Sequence, residues 1–211
     1  MKIRLFLSIA MCLFLLKAAS ASEAVDECVS KFASELYTEA IPYCEKACNL
    51  NDGQSCGFLG LLYGTGKGVR QDYSRATTYL EKACNLNSGP DCGFLGVIYS
   101  TGKGVKQSYS KATTYLEKAC NLNDSTGCLK LGLLYSEGEG VSKDYSKAAT
   151  YLEKACKLND GTGCGVLGVL YAEGKGVRQN NNKAKEYFGK SCDLGVQRGC
   201  DSYRLLNKQG H

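Results

Sequence analysis

Histidine, long apolar segments and excess charge are all scarce in this chain, and each scarcity excludes a class of function. The single histidine, His211, is the last residue. One histidine cannot build a His-rich metal site, so we exclude a zinc hydrolase and expect neither a metal nor another cofactor. After the N-terminal region, no apolar segment approaches the roughly twenty residues that a membrane-spanning helix needs. We therefore expect no membrane span in the mature chain.

The N-terminal segment has the three parts of a secretory signal peptide. Two basic residues precede an apolar run from Leu5 to Leu16, and Ala19-Ser20-Ala21 is a small-residue cleavage signal. We predict that residues 1–21 are removed and that the mature chain is secreted or periplasmic. Three of the 26 basic residues lie in this segment, which leaves 23 against 21 acidic residues. A net charge of about +2 gives no electrostatic footprint for nucleic acid.

Cysteine, in contrast, is abundant and regularly spaced. Without Cys12 of the signal segment, twelve of the 13 cysteines remain, and ten of them form pairs that recur every 36 residues. These pairs are Cys48 with Cys56, Cys84 with Cys92, Cys120 with Cys128, Cys156 with Cys164, and Cys192 with Cys200. Structural zinc sites need shorter cysteine spacings or histidines, so in an exported chain this pattern indicates disulfides.

A fixed 36-residue period is typical of a stacked repeat protein. Each full unit has two halves, such as GPDCGFLGVIYSTGKGV (89–105) and SYSKATTYLEKACNL (108–122), with apolar residues at helical spacing. We predict that Gly138 and Gly140 end a first helix in left-handed conformations. Mid-helix glycines such as Gly132 are predicted to pack closely against Ala148, with Tyr151 as the large neighbour. Recurrent turn asparagines are predicted to close each turn by side-chain hydrogen bonds: Asn51, Asn87, Asn123 and Asn159.

The repeat period also predicts the domain organisation. We expect a signal peptide (1–21), an N-terminal helical hairpin (22–52), four repeats (53–88, 89–124, 125–160 and 161–196) and a C-terminal capping helix (197–211). In the first hairpin, Cys28 and Cys44 each lie eight residues from the turn at Leu36, so we predict a sixth disulfide between them. The other pairs flank the turns between units. Each such disulfide ties a second helix to the next first helix and contributes about 2.5 kcal/mol.

The repeated motifs carry a resemblance to a known family. LG-x2-Y-x2-G-x-GV followed by DY-x2-A-x2-YLEKAC resembles the Sel1-like repeat, a relative of the tetratricopeptide repeat. The C-x7-C in every unit is similar to the Helicobacter cysteine-rich protein family, and the resemblance covers residues 22–200. It implies an all-α, disulfide-stapled α-solenoid of helical hairpins that binds a ligand on its concave face. It further implies penicillin binding, with slow β-lactam hydrolysis in some relatives.

Two S-x-x-K matches supply the candidate catalytic residues. Serine β-lactamases place a nucleophilic serine one helical turn from a lysine and add S-D-N and K-T-G elements. Ser100 with Lys103 and Ser108 with Lys111 match the first element, but neither supporting element occurs. The alternative interpretation is that all four are solvent-exposed repeat residues. Whether the chain is an enzyme stays open at this point, and a weak β-lactam hydrolase is the activity that the resemblance implies.

Ligand-binding positions are expected where the copies differ although the scaffold is constant. The clearest is Lys130, and the next are Thr101 and Glu137, all on the predicted concave face. Lys130 aligns with Phe58, Phe94 and Val166. Two functions remain. In the first, the concave face binds a β-lactam or a similar cell-wall-derived molecule. In the second, the protein is a non-catalytic exported scaffold for a peptide or protein partner. We expect a monomer.

Overall fold

The computed structural model describes residues 21–209, and the signal-peptide prediction and His211 lie outside them. Within that range the chain forms eleven helices and no strand, in two compact units that divide between Ser88 and Gly89. The all-α prediction is therefore confirmed for the described part of the chain.

The first unit contains two helical hairpins. Its helices are α1 (residues 21–33), α2 (Tyr37–Asn49), α3 (Gly53–Thr65) and α4 (Tyr73–Asn85). The core is built from cysteine, alanine and leucine side chains on all four helices, with Leu59 and Leu80 fully buried. Phe32 of α1 stacks on Phe58 of α3 with their ring centres 3.8 Å apart, so α1 and α3 are in contact.

The second unit contains three hairpins and a final single helix. Its helices are α5 (Gly89–Thr101), α6 (Tyr109–Asn121), α7 (Ser125–Glu137), α8 (Tyr145–Lys157), α9 (Gly161–Glu173), α10 (Asn181–Asp193) and α11 (Gln197–Lys208). Each helix packs against the next along the chain, and α5 also packs beside α7, as α9 does beside α11. Buried leucines from successive hairpins, among them Leu116, Leu131, Leu152 and Leu167, form the continuous core. We refer to α3, α5, α7, α9 and α11 as first helices and to α4, α6, α8 and α10 as second helices.

Polar side chains fix where the helices begin. Asp124 accepts a hydrogen bond from the Gly127 amide (2.6 Å), and Asp160 accepts one from the Gly163 amide (2.8 Å). Such caps satisfy amides that have no partner inside the helix. The turn asparagines before these caps have left-handed backbones, with φ of 63° at Asn123 and Asn159. The prediction for their side chains was wrong, because in the described residues the turn is closed by backbone bonds such as Asn123 N–H to Cys120 O.

Glycines end the first helices as predicted. Gly138 and Gly140 have φ of 77° and 69°, and Gly138 is the capping residue that directly follows α7. A Cβ atom on Gly140 would overlap the ring of Tyr109. The second glycine of the loop therefore serves a different purpose from the first, since it lets the loop lie against the start of the preceding second helix.

The large neighbour of each mid-helix glycine is a leucine rather than the predicted tyrosine. Gly132 faces the side chain of Leu152 and the carbonyl oxygen of Ala148. Tyr151 instead stacks on Tyr135 of the facing first helix, with ring centres 5.7 Å apart. Tyr151 lies one residue before Leu152. Adjacent residues on a helix point in different directions, so the two side chains contact different neighbours.

The predicted disulfide-stapled solenoid is also the observed fold class. Four bonds join consecutive helices across a turn, and one joins the two helices of the first hairpin. They are Cys28–Cys44, Cys48–Cys56, Cys120–Cys128, Cys156–Cys164 and Cys192–Cys200. Cys84 and Cys92 are likewise disulfide-bonded. Across residues 21–209, no helix is long and apolar enough to cross a membrane.

Candidate functional site

The two candidate serines are both engaged by the backbone. Ser100, in the last turn of α5, donates a hydrogen bond from its Oγ to the carbonyl oxygen of Val97 (3.0 Å). Ser108 is the residue before α6, and its Oγ accepts a hydrogen bond from the amide of Lys111 (3.4 Å). These are ordinary helix-end roles. Neither contact gives a serine hydroxyl the neighbouring base that a nucleophile requires.

The lysine of the second motif is directed elsewhere. The Nζ atom of Lys111 lies 3.4 Å from the hydroxyl oxygen of Tyr99 and 4.7 Å from the centre of its ring. A cation over an aromatic face is a stable arrangement in itself. Lys103 is exposed in the loop after α5. The spacing in the sequence matches S-x-x-K, but around Ser108 the side chains are arranged for helix capping and ring stacking.

The same cation–tyrosine arrangement recurs in the other hairpins. A basic group near the start of the second helix covers the tyrosine ring of the first helix, at distances between 4.3 and 5.1 Å in four hairpins. The pairs are Arg75 with Tyr63, Lys111 with Tyr99, Lys147 with Tyr135 and Lys183 with Tyr171. Because the arrangement is common to these repeats, we interpret it as part of the scaffold rather than as a specific site.

In the first unit this arrangement includes a carboxylate. The Oε1 atom of Glu45 accepts hydrogen bonds from the hydroxyls of Tyr63 and Tyr79 (3.3 Å each) and lies 3.7 Å from Arg75 Nη2. Burial raises the pKa of Tyr63, a rise that Arg75 opposes and Glu45 increases. Burial also raises the pKa of Tyr79, to which Glu45 adds. A tyrosine held in its neutral form is a hydrogen-bond donor and no catalytic base near neutral pH.

The predicted ligand-binding residues lie on exposed parts of the first helices. Lys130 is exposed on α7 and makes no ion pair or hydrogen bond within the part of the chain that the structure describes. Glu137, at the end of α7, is also exposed and unpaired there. Thr101 is exposed on α5, but its Oγ1 donates to the carbonyl of Val97 (2.8 Å). Lys130 and Glu137 therefore have charged groups available for a ligand, whereas the Thr101 hydroxyl is occupied.

Apolar side chains fill most of the repeat positions that are equivalent to Lys130 or lie three residues after it. On each first helix of the second unit, two positions three residues apart face solvent or are half-buried. Phe94, Val169 and Leu205 keep 37%, 41% and 57% of their surface exposed. We call the set the first-helix strip. Its members are Phe94, Val97, Lys130, Leu133, Val166, Val169, Ser202 and Leu205.

Differences between the repeat copies indicate Lys130 but not most of this strip. Leu133 and Val169 look like ordinary core residues, because they lie among other apolar residues at helical spacing. Only a comparison of the repeat copies indicates that these positions are unusual. Positions filled by Val97, Leu133, Val169 and Leu205 stay apolar in all repeats while their helices already bury separate apolar faces.

The described residues contain no cluster of side chains suited to metal binding or to covalent catalysis. Within residues 21–209, no group of three or more His, Cys, Asp and Glu side chains could hold a metal ion. The cysteines in this range are in disulfides, so none provides a thiolate. Together with the fold, these observations define the class of the protein: a disulfide-linked helical repeat protein with an exposed, largely apolar strip.

The family follows from comparison with known proteins. The model of the Sel1 repeat matches residues 53–88, 92–124, 125–160 and 164–196. The chain belongs to the Sel1 repeat family. Comparison with curated proteins gave no match.

Solved structures support the same assignment. The chain is 42% identical to Helicobacter pylori cysteine-rich protein B, over 62% of this chain and 94% of that protein, with a TM-score of 0.51. It is 30% identical to a protective antigen of uropathogenic Escherichia coli, over 77% of this chain but only 35% of the antigen, with a TM-score of 0.73. A Sel1 repeat protein from Oxalobacter formigenes shares the fold at 24% identity, with a TM-score of 0.72 and coverage of 91% and 86%. The resemblance to the Helicobacter cysteine-rich proteins is thus confirmed.

Proposed function

We propose that this protein is a non-catalytic, extracytoplasmic binding module that holds an extended peptide segment of a partner protein on the first-helix strip. The observation that carries the proposal is the strip itself, because apolar side chains stay exposed or half-buried at equivalent positions on successive first helices. Contiguous exposed apolar surface on a folded protein marks an interaction site. The disulfides support the location, since such bonds persist in oxidising compartments.

The chemistry of the strip restricts the partner. Lys130 places an unpaired ammonium group at the repeat position that Phe94 and Val166 fill on the other first helices. A partner that left this charge without a counter-charge would lose affinity, because a desolvated cation needs an anion. The partner segment is therefore mainly apolar, with an acidic side chain opposite Lys130. An extended conformation suits it, since an extended chain presents alternate side chains to one surface.

β-Lactam binding or hydrolysis, which the family resemblance implies, gains no support from these contacts. The hydroxyls of Ser100 and Ser108 are bonded to the backbone, and Lys111 lies on Tyr99. Enzymes of this class need a serine that a base can deprotonate. We keep this activity as the alternative that the experiment must be able to detect.

The test is peptide selection followed by measurement of affinity. The oxidised protein from residue 22 onward is used to select binders from a phage-displayed library of random peptides, and fluorescence polarisation then measures their dissociation constants. We expect the selected peptides to carry apolar residues at alternate positions, with a single acidic residue at one of these positions. Val169→Ser and Lys130→Ala should each weaken binding by about tenfold or more, because each removes a buried apolar or charged contact.

A matched control separates the strip from general surface effects. Leu205→Ser changes an exposed leucine on the strip, and Leu36→Ser changes a leucine of similar exposure (47%) at the turn before α2. Only the first change should weaken binding. Selection of no peptide, or equal binding by Leu205→Ser and the unmodified protein, would refute the proposal. Hydrolysis of a chromogenic β-lactam that is abolished by Ser100→Ala/Ser108→Ala would instead establish the enzymatic alternative.

A further inference from the structure

A cavity of about 260 Å³ lies at the C-terminal end of the second unit, among residues of α9, α10 and α11. Val166, Val169, Phe188 and Val196 provide an apolar lining, and Arg198 and Ser202 add polar groups. No acidic residue lines it. Complete sites for drug-sized ligands measure about 300–1,000 Å³. The cavity is therefore suited to one side chain and the groups next to it.

The repeats differ at the positions that line this cavity. Where the first helices α7 and α9 are preceded by Asp124 and Asp160, α11 is preceded by Val196, which provides no side-chain cap. Loss of such a cap costs about 1 kcal/mol. A terminal repeat that only needed to face water would gain nothing from an apolar residue in this place. Val196 instead completes the apolar lining.

Arg198 is the second departure from the repeat pattern. It occupies the position of Thr126 and Thr162 in the preceding first helices. Its guanidinium makes no ion pair or hydrogen bond in the described part of the chain. The acidic group nearest to it in sequence, Asp201, already accepts hydrogen bonds from Gln197 (3.0 Å) and Arg204 (3.1 Å). Arg198 is thus a permanent positive charge without a counter-charge beside an apolar cavity.

We propose that this cavity binds the C-terminal residue of a polypeptide, with its apolar side chain among Val166, Phe188 and Val196 and its α-carboxylate on Arg198. The proposal rests on the proposed peptide-binding function and names a specific anchor for it. Arginine binds carboxylates through two parallel hydrogen bonds. The Ser202 hydroxyl, which has no partner within the described chain, adds a donor.

A chain terminus fits the cavity better than an internal acidic residue. In an extended peptide, neighbouring side chains point to opposite faces, so an apolar residue and an adjacent Asp or Glu would not enter one small cavity together. A C-terminal residue carries both groups on a single Cα atom. It therefore satisfies the apolar lining and Arg198 at once.

The experiment compares two peptides that differ only at the terminus. N-terminally fluorescein-labelled Gly-Ser-Gly-Ser-Gly-Leu, as the free acid or as the C-terminal amide, is titrated with the oxidised protein from residue 22 onward and followed by polarisation. We expect the free acid to bind about tenfold or more tightly than the amide, because a charge-assisted pair is lost in the amide. N-acetyl-leucine should compete with the labelled acid, whereas N-acetyl-leucinamide should not.

Variants on α11 identify the residue responsible. Arg198→Gln should bind acid and amide equally, whereas Arg204→Gln, the same change at an arginine that is paired with Asp201, should behave like the unmodified protein. Val196→Asp should abolish the preference for the acid while raising the melting temperature, because it introduces the aspartate cap that α7 and α9 have and repels a carboxylate. Equal binding of acid and amide by the unmodified protein would overturn the proposal.

The two peptide-binding proposals fail separately. If library-selected peptides bind Arg198→Gln as tightly as the unmodified protein and still lose affinity in Leu205→Ser, which changes a strip residue outside the cavity lining, the strip binds peptides and the cavity is not their anchor. If the labelled acid binds as expected while Lys130→Ala changes no selected peptide's affinity, the cavity binds peptide termini by itself and the strip is not a peptide-binding site.

Discussion

A Cβ atom at Gly132 of α7 would lie 2.7 Å from Cγ of Leu152 in α8. Leu152 is fully buried, so a shift of its side chain would require the core residues around it to move as well. In the first unit, a Cβ atom at Gly60 would lie 2.5 Å from Cγ of Leu80. Glycine therefore fits this position of the helix, because the leucine of the facing helix occupies the space that a larger side chain would need.

Replacing Gly132 by alanine should destabilise the protein. Alanine favours the helix by about 1 kcal/mol, but overpacking a filled core costs about 1–3 kcal/mol. We expect a net loss of about 1 kcal/mol, seen as a lower midpoint in urea unfolding followed by circular dichroism.

Gly189→Ala provides the matched control for this change. Gly189 is also in a helix interior, but a Cβ atom there would meet the ring of Tyr203 at 3.4 Å, an ordinary contact. The helix preference alone should act, and this variant should gain up to about 1 kcal/mol. A stabilised Gly132→Ala variant would show that the core tolerates the extra methyl group.

The repeat period and the cysteine spacing were sufficient to predict the helical hairpins and their order. They could not assign the partner of each buried residue, because residues one position apart on a helix, such as Tyr151 and Leu152, have similar apolar character. The difference comes from rotation: Leu152 points at Gly132 and Tyr151 at Tyr135. Such rotations depend on tertiary packing and not on periodicity.

Changes at Asn123 should separate backbone from side-chain effects at the turns. Its φ of 63° lies in the left-handed region, where residues with a Cβ atom pay about 1–2 kcal/mol and asparagine pays less. Asn123→Gly should therefore be close to neutral, and Asn123→Ala should destabilise by about 1 kcal/mol. Equal losses in both variants, measured by urea unfolding, would point to a role of the side chain instead.

Two buried serines should respond in opposite directions to alanine. Ser55 is fully buried, and its Oγ has no hydrogen-bond partner. Ser191 is equally buried, but its Oγ donates to the carbonyl of Gly161 (2.7 Å). An unsatisfied buried hydroxyl costs about 1–3 kcal/mol, whereas a satisfied one contributes about 1 kcal/mol. Ser55→Ala should raise the melting temperature and Ser191→Ala should lower it. A fall for both variants would mean that the Ser55 hydroxyl is satisfied.

The candidate site was less predictable than the fold. Lys130 stands out in the sequence because a charge replaces apolar residues of other copies. The cavity beside Arg198 does not, because the 36-residue period shows that Val196 replaces an aspartate but does not show that residues of three helices enclose a cavity there. Short motifs misled in the opposite direction: Ser108 and Lys111 match a catalytic spacing, yet the serine caps a helix and the lysine covers a tyrosine.

Stability should fall at alkaline pH because of the stacked tyrosines. Burial raises the pKa of Tyr151, and the charges of Glu117 and Tyr135 add to the rise. Burial also raises the pKa of Tyr187, with Glu153 adding to it. In the unfolded chain tyrosine loses its proton near pH 10, before these folded groups do. Proton release then favours the unfolded state, so the contribution to stability that is full below about pH 10 is lost as the pH rises further.

The Tyr151→Phe/Tyr187→Phe double variant tests this assignment. Phenylalanine keeps the ring stacking on Tyr135 and Tyr171 but has no proton to lose. The free energy of unfolding of the unmodified protein should decrease more steeply above about pH 10 than that of the variant, while the difference between the two stays constant from about pH 7 to pH 9. Urea unfolding at a series of pH values measures both curves. Parallel curves through the alkaline range would assign the alkaline loss to other groups, because only the two hydroxyls differ between the proteins.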